Sequence, residues 1–320
     1  MMLDPIAPGP EAAAGQLARP RVAAVVVTHN RLALLRECLA AIEAQSGELA
    51  ELIVIDNAST DGTAAAVAAE FPKATLVSLA HNEGGAGGFH EGIKAGYAHG
   101  ADWIWLLDDD TIPSSGALAE LVGALRRLDG LPAPAVLGSR VEWRDGEPHP
   151  VNMPIVRRRD IVHLVAACER GLIPLRTSTF VSLLLSREAV EHHGLPLKQF
   201  FFQADDIEYT ARILRRRTGY LVPESVVEHR TKNPHHALPD SDGGRIYYHV
   251  RNTVLMARGN SWGRAEKPAM VWRLLESSLE YVRANRFSVA SMKTVLRALR
   301  DGLVRLEPPQ LIDKASSGAL

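Results

Sequence analysis

The sequence is poor in cysteine and in aromatic residues, and it has no excess of charge of either sign. Its 320 residues include only two cysteines, Cys38 and Cys168, which lie far apart and outside any Cys-x-x-Cys or Cys/His spacing. This excludes a disulfide framework, a zinc ribbon and an iron–sulfur site, and we predict that both thiols are buried small apolar side chains in a reducing compartment. Lys and Arg number 36 against 37 Asp and Glu. The chain therefore has no global positive field to hold a nucleic acid.

Long hydrophobic runs are also missing. No segment approaches the roughly 20 consecutive apolar residues that a membrane-spanning helix needs. Residues 1–20 lack the basic and apolar regions of a signal peptide, so we predict a cytoplasmic protein. These residues are rich in Pro, Ala and Gly without periodicity, which predicts a poorly ordered arm.

From Arg21 onward, short apolar runs of strand length alternate with helical patterns. The run RVAAVVVTHN has the composition of a strand buried on both faces, and apolar strands are predicted again at 52–55, 74–79 and 103–107. Polar residues follow each strand. This alternation predicts an α/β fold with a doubly wound sheet and a ligand crevice at the carboxyl ends of its strands. We assign residues 21–255 to this catalytic unit and residues 256–320 to a helical C-terminal region.

Three consecutive carboxylates, Asp108, Asp109 and Asp110, follow the fourth strand. Crowded carboxylates repel one another, so a divalent cation is the natural occupant of such a cluster. Alternation along an extended chain predicts that Asp108 and Asp110 face the same way and that Asp109 turns aside. An acidic turn capping the next helix is the structural alternative. The DxDxT pattern of aspartyl phosphatases is excluded because residue 112 is Ile.

Other polar clusters have both a functional and a structural interpretation. Asp56 and Thr28 end two strands, where Asp56 could bind a base or ribose or could form a turn. The glycine-rich segment 82–96 fits neither GxxxxGK[ST] nor GxGxxG, and predicts either a ligand-binding loop before a helix at about 91–97 or a structural loop. Asp205, Asp206 and Glu208 begin a predicted helix, either as a general base with its neighbours or as an acidic helix terminus. His229 ends a strand and could complete a metal site with the aspartates.

Six motifs in one order give these features a common interpretation. AVVVTHNR, IVIDNASTDGT, NEGGAGGFHEG, WLLDDDTIP, QADDIEYTAR and VEHRTK resemble the inverting family 2 glycosyltransferases of GT-A fold over about residues 21–255. Within that family, the combination most resembles bacterial cell-wall galactofuranosyltransferases, particularly those that extend a rhamnosyl-N-acetylglucosamine diphosphate polyprenol. Rhamnosyltransferases that use dTDP-rhamnose share much of the pattern. A sugar-nucleotide pyrophosphorylase and a non-catalytic sugar-nucleotide-binding protein are two further hypotheses for the function.

The resemblance implies a role for each position. Asp108, Asp110 and His229 would hold Mn²⁺ or Mg²⁺ against the diphosphate of a UDP-sugar donor. Asp206 would act as the base on the acceptor hydroxyl, and Asp205 and Glu208 would orient donor or acceptor hydroxyls. Arg251 and Asn252 would serve either the crevice or a structural cap. The nucleotide and sugar contacts implied are Thr28, Asp56, Asn82, Gly84, Gly85, Gly88 and Asp109.

The C-terminal region carries local positive charge that the neutral total conceals. Residues 264–300 contain eight basic and three acidic side chains, and apolar residues recur there at helical spacing. Two interpretations stay open: helices that pack on the domain or form a dimer, and a basic amphipathic region that binds an anionic membrane. The lipid-linked acceptor that the resemblance implies favours a peripheral location on the inner face of the plasma membrane.

Overall fold

The computed structural model describes residues 20–233 and 244–312, except residues 46, 48, 129, 159 and 305. The predicted N-terminal arm lies outside the described residues apart from Pro20. The strands are β1 (Val22–Thr28), β2 (Leu49–Asp56), β3 (Thr75–Ser78), β4 (Trp103–Asp108), β5 (Thr111–Pro113), β6 (Pro134–Glu142), β7 (Ile155–Val156), β8 (Ile173–Thr177), β9 (Leu183–Ser186) and β10 (Thr218–His229). The helices are α1 (Leu32–Glu43), α2 (Thr63–Glu70), α3 (Gly84–Ala98), α4 (Ala117–Ala124), α5 (Ile161–Cys168), α6 (Arg187–His193), α7 (Asp205–Leu214), α8 (Gly244–Arg258), α9 (Lys267–Ala284) and α10 (Val289–Gly302).

These strands form one mixed sheet in the order β3-β2-β1-β4-β9-β6-β10-β8-β7, with β5 paired to β10. The first four strands of that order are parallel, as the alternating pattern predicts. Thr28 lies beside Asp56 and Val27 beside Asp108 in the strand register. The polar ends of β1, β2 and β4 therefore lie at one edge of the sheet.

Strand β1 is buried on both faces because helices cover both sides of the sheet. Val22, Ala24 and Val26 share a core cluster with α1, whereas Ala23, Val25 and Val27 share one with α3. Alternate side chains of a strand point to opposite faces, so a two-sided core requires an unbroken apolar run. This is why the sequence of β1 does not alternate between apolar and polar residues.

The glycine-rich segment is helical rather than a loop. Helix α3 begins at Gly84, so the prediction of a loop before a helix at about 91–97 was wrong. A Cβ on Gly88 would lie 2.4 Å from Val27 Cγ1, and one on Gly92 would lie 2.3 Å from Val25 Cγ1. These glycines let α3 approach β1 more closely than any other residue would permit. The glycine pattern that predicted a loop thus reflects tight helix–sheet packing.

The two cysteines differ in their surroundings. Cys38 is fully buried on the core-facing side of α1, as predicted, but Cys168 at the end of α5 is exposed. The prediction that both are buried was therefore wrong for Cys168. Only Ala167 of α5 is buried, so this helix lies on the surface of the sheet rather than within the core.

Helices α8, α9 and α10 pack together around a small core that includes Ile246, Val250, Leu274 and Tyr281. A buried arginine links them to the sheet: Arg176 of β8 forms an ion pair with Glu266 and donates to the carbonyl oxygen of Ser261. Its guanidinium also lies over the Trp262 ring. Within the described residues, no helix has the length and apolarity required to cross a membrane.

Candidate active site

The carboxyl end of β4 brings the acidic cluster to the edge of the sheet, and strand pairing brings His229 to it. The chain turns at Asp109 and Asp110 and enters β5, which pairs antiparallel to β10 so that Thr111 lies opposite His229. Asp109, Asp110 and His229 are largely buried. The predicted convergence of Asp108, Asp110 and His229 is what this topology produces.

The three side chains form a compact set of potential metal ligands. One ligand atom from each of Asp108, Asp110 and His229 lies within 4.8 Å of the others. His229 Nε2 lies 3.1 Å from Asp110 Oδ1, and His229 Nδ1 donates to Asn152 Oδ1 at 2.8 Å. With Nδ1 protonated, a neutral imidazole directs its Nε2 lone pair toward the Asp110 carboxylate. A cation, either a proton or a metal ion, is therefore required between them, and the residues present fit a divalent metal.

The pKa shifts of Asp108, Asp110 and His229 also favour a bound cation. Burial and the charge of Asp110 raise the pKa of Asp108 to about 7. Burial opposes ionisation of His229 and Asp110 as well, but their hydrogen bond and mutual attraction raise the pKa of His229 and lower that of Asp110. His229 and Arg31 lower the pKa of Asp108 but do not cancel this rise, so a bound metal ion would further stabilise the ionised Asp108 carboxylate.

We expect Mn²⁺ affinity to fall as the pH drops through 7. A metal ion binds the ionised carboxylate, so below the raised pKa of Asp108 it must displace a proton. Isothermal titration calorimetry should show a loss of about tenfold in affinity between pH 8 and pH 6, with proton release at the lower pH. An affinity that stays constant over this interval, or that rises at pH 6, would contradict the assignment of Asp108 as a ligand.

Asn152 orients His229 and was not foreseen from the sequence. Its Oδ1 accepts from His229 Nδ1, and its Nδ2 donates to Thr179 Oγ1 at 3.2 Å. Metal-binding histidines commonly use the second ring nitrogen in this way, which fixes the tautomer and leaves Nε2 for the metal. Asn152 lies in a short turn without any motif, so no sequence signal identifies it.

Asp109 turns away from this set, as the alternation predicted, and contacts β1 instead. Thr28 Oγ1 donates to Asp109 Oδ2 at 2.8 Å, and Arg31 Nη1 lies 3.2 Å from Asp109 Oδ1 and 2.7 Å from Asp110 Oδ2. Burial raises the pKa of Asp109 to about 6 although Arg31 opposes the shift. Arg31 is half-exposed and was not predicted. It supplies positive charge at the mouth of the site.

The residues predicted to bind the nucleotide lie at the same edge and also fix the local backbone. Asp56 Oδ1 accepts the N–H of Ser59, which closes a turn after β2. Asn82 Oδ1 accepts the N–H of Gly84 at 2.8 Å. Gly84 has a φ of +71°, and a Cβ there would lie 1.9 Å from the Phe201 carbonyl oxygen. Gly85 has open space beside it, whereas Gly88 faces the core.

The second acidic cluster lies at the first turn of α7, where the positive end of the helix dipole favours carboxylates. Burial and the charge of Asp206 raise the pKa of Asp205 well above its usual range, and the charge of Asp108 adds to the shift. The two acidic clusters are therefore neighbours in space. Burial raises the pKa of the partly exposed Asp206 to about 6. Glu208 is buried and forms an ion pair with Arg212 at 3.2 Å, so its carboxylate is already engaged within the protein.

A mixed sheet with a carboxylate-rich crevice at its strand ends, a set of potential metal ligands and a second acidic cluster fits a glycosyltransferase. The family described as glycosyl transferase family 2 matches residues 23–183, and the chain belongs to this family. The family resemblance noted in the sequence is thus confirmed.

Two relatives with sequence similarity to this chain are galactofuranosyltransferases. The chain is 30% identical over 197 residues to galactofuranosyltransferase GlfT1 of Mycolicibacterium smegmatis, covering 61% of this chain and 65% of that protein, a little less than two thirds of its length. It is 29% identical over 252 residues to GlfT1 of Mycobacterium tuberculosis, covering 74% of this chain and 83% of that protein.

Solved structures confirm the GT-A fold. Staphylococcus aureus TarS 1–349 in complex with UDP-GlcNAc superposes with a TM-score of 0.59 at 16% identity, covering 88% of this chain and 80% of that chain. The mannosyltransferase PcManGT of Pyrobaculum calidifontis, in complex with GDP-Man and Mn²⁺, gives a TM-score of 0.51 at 20% identity, covering 89% of this chain and 74% of that chain. At these identities the likeness concerns the fold alone.

Proposed function

We propose that this glycosyltransferase is a metal-dependent, inverting galactofuranosyltransferase. It would move galactofuranose from UDP-galactofuranose to a polyprenol-diphosphate-linked rhamnosyl-GlcNAc acceptor in cell-wall galactan synthesis. The observation that carries the proposal is the placement of Asp108, Asp110 and His229 beside the Asp205–Asp206 pair. The similarity to the mycobacterial GlfT1 proteins supports the choice of donor and acceptor.

In this proposal, the chain provides separate groups for the leaving group and for the nucleophile. Asp108, Asp110 and His229 would hold Mn²⁺ or Mg²⁺, which would supply positive charge to the UDP leaving group. The imidazole in the set suits Mn²⁺ better than Mg²⁺, because Mg²⁺ prefers oxygen ligands. Asp206 would take the proton of the acceptor hydroxyl as its oxygen attacks the anomeric carbon from the face opposite UDP. The new C–O bond forms as the bond to UDP breaks, which inverts the anomeric centre.

The remaining residues would hold the donor. Asp56 would accept a hydrogen bond from the uracil N3–H, and Thr28 and Asp109 would line the ribose. Gly84 and Gly85 begin α3, with Asn82 two residues before it, and the Gly84 carbonyl accepts from Asn57 Nδ2 just after β2. Gly88 supports the proposal only through packing, since it allows α3 to approach β1. Asp205 would orient a sugar hydroxyl, and Glu208 would act through its ion pair with Arg212.

A donor screen tests this function. Purified protein is incubated with a synthetic polyprenol-diphosphate acceptor, Mn²⁺ and each of UDP-galactofuranose, UDP-galactopyranose and dTDP-rhamnose. We expect transfer from UDP-galactofuranose only, with the product linkage inverted relative to the donor. Transfer from dTDP-rhamnose alone would replace the proposal with a rhamnosyltransferase, and donor binding without transfer would identify a non-catalytic binding protein.

We also infer that α9 and α10 bind an anionic membrane surface. Part of each apolar stripe predicted in this region is exposed: Leu275, Leu279 and Leu296 are each more than half exposed, as is the neighbouring Trp272. Arg273, Arg283, Arg286, Lys293, Arg297 and Arg300 are exposed on the same two helices and on the turn between them. Apolar side chains flanked by basic residues fit the boundary between acyl chains and anionic headgroups. This arrangement would hold the enzyme where a lipid-linked acceptor lies, on the cytoplasmic leaflet.

Replacing Leu275 and Leu296 together with Gln is expected to weaken binding to phosphatidylglycerol vesicles by at least about tenfold, because each buried leucine contributes about 1.5–3 kcal/mol. Co-sedimentation at low and high salt measures the effect. Val162→Gln is the matched control, since Val162 is 82% exposed but lies on α5. Equal binding to neutral vesicles would contradict the inference. So would a concentration-dependent dimer that the double variant abolishes, because a second copy of the chain would then cover this face.

A further inference from the structure

The segment immediately before α7 has an unusual backbone. Phe201, Gln203 and Ala204 have φ values of +60°, +65° and +64°, in the left-handed region that residues with a side chain rarely adopt. Each such residue costs on the order of 1–2 kcal/mol, so surrounding contacts must hold the segment. Asp205 and Asp206 follow directly. The direction in which α7 starts, and with it the position of both carboxylates, depends on these residues.

The four consecutive carbonyl groups of residues 200–203 are all hydrogen-bonded by other parts of the chain. Asn252 Nδ2, from α8, lies 3.1, 2.8 and 2.7 Å from the carbonyl oxygens of Phe200, Phe202 and Gln203. The N–H of Ala86, in α3, donates to the carbonyl oxygen of Phe201 at 3.2 Å. One side chain from α8 therefore fixes the segment on one side, and α3 fixes it on the other.

The orientation of the Asn252 amide is unambiguous. The side chain is fully buried, and its two amide protons face three carbonyl oxygens, so the reverse orientation would bring oxygen against oxygen. No donor among the described residues reaches Asn252 Oδ1. A buried acceptor without a partner is costly, so simple space filling would be better served by an apolar side chain. The hydrogen bonds to the segment are what an asparagine provides here.

We propose that Asn252 is a positioning residue, which holds the left-handed segment so that α7 presents Asp206 to the acceptor hydroxyl. The inference rests on the proposed role of Asp206 as the base. The sequence left two roles open for Asn252, one in the crevice and one as a structural cap. The structure combines them, because the side chain caps the segment that leads directly into the acidic first turn of α7. Helix α8 is thereby part of the catalytic unit.

The test compares Asn252→Leu, which is similar in size but has no donor, with Asn252→Ser, which retains one donor. We expect Asn252→Leu to lower kcat by about 10²-fold, the loss typical of a displaced reacting group. The UDP dissociation constant should stay within about twofold of wild type, because Asn252 Nδ2 bonds the carbonyls of Phe200, Phe202 and Gln203, whereas α3 separately holds that of Phe201 beside the predicted nucleotide contacts. Asn252→Ser should retain an intermediate kcat. The matched control is Asn285→Leu, since Asn285 Nδ2 donates to the carbonyl of Tyr281 at the end of α9.

Amide hydrogen exchange over residues 200–210 provides a readout that is independent of turnover. Exchange there should accelerate in Asn252→Leu and stay at the wild-type rate in Asn285→Leu. Unchanged kcat and exchange in Asn252→Leu would overturn the proposal, as would a parallel loss of UDP binding and kcat. Assays use the donor that wild-type protein turns over, so a wrong donor assignment does not affect this test. If Asp206→Asn lowers kcat and Asn252→Leu does not, the role of Asp206 as the base stands and the positioning role of Asn252 is wrong.

Discussion

Asp206→Asn is expected to lower kcat by about 10²–10⁴-fold while donor binding is largely retained, because a positioned general base typically contributes that much. The substitution preserves the size of the side chain and removes only its capacity to accept a proton. Burial raises the pKa of Asp206 to about 6, so in wild-type protein kcat/KM should fall as the pH drops below this value. Steady-state transfer to the lipid-linked acceptor and UDP titration measure the two quantities.

Asp145→Asn is the matched control for this substitution, since Asp145 lies in an exposed turn, where its carboxylate accepts the N–H of Glu147. It should retain wild-type transfer. Wild-type kcat in Asp206→Asn would exclude Asp206 as the base and leave Asp205 as the remaining carboxylate of the pair. A loss of UDP affinity as large as the loss of kcat would instead indicate that the variant disturbs the donor site.

Asp110→Asn is expected to lower kcat/KM by about 10²–10³-fold. This is the typical loss when one group that stabilises the charge developing in the transition state is removed. Asp110 is both a candidate metal ligand and the partner of His229 and Arg31, so an amide at this position removes a ligand and two charge interactions. Wild-type protein treated with EDTA should lose activity to a similar degree and regain it on addition of Mn²⁺.

The variant and the chelation experiment together distinguish loss of metal binding from loss of folding. Thermal unfolding in the absence of metal shows whether Asp110→Asn is folded, and only wild-type protein should be stabilised by added Mn²⁺. Full activity of wild-type protein in EDTA would contradict metal dependence. Restoration of Asp110→Asn by millimolar Mn²⁺ would show a weakened rather than a lost site, and the affinity measured by calorimetry should then be reduced in proportion.

Much of the architecture could be predicted from local patterns. The unbroken apolar run of β1 indicates a strand with helices on both sides, and α1 and α3 lie there in the structure. The acidic cluster after β4 and His229 at the end of β10 were expected to meet because polar strand ends gather at one edge of the sheet. The resemblance to family 2 glycosyltransferases then implied Asp108, Asp110 and His229 as a set of metal ligands, and the structure brings these three side chains together. Six motifs in one order led to the glycosyltransferase family, which the family match confirms.

Other features depend on contacts that no local pattern encodes. The glycines of α3 suggested a loop because glycine is typical of loops, but their role is close packing against Val25 and Val27. Helical spacing on α9 and α10 predicted apolar stripes without revealing whether the stripes face the core or solvent. Cys168 is exposed because α5 lies on the surface of the sheet.

The sequence alone determined the alternation of strands and helices and the position of carboxylates at strand ends. It also determined the near-zero net charge of the chain and the local positive charge of its C-terminal region. Only the tertiary structure decided which groups hold the site in place. Asn152 orients His229, Arg31 pairs with Asp109 and Asp110, and Asn252 holds the segment before α7. Periodicity and turn chemistry act between near neighbours and are legible in a sequence. An asparagine or arginine that serves a distant carboxylate or carbonyl leaves no local pattern, because its partner is specified only when the chain folds.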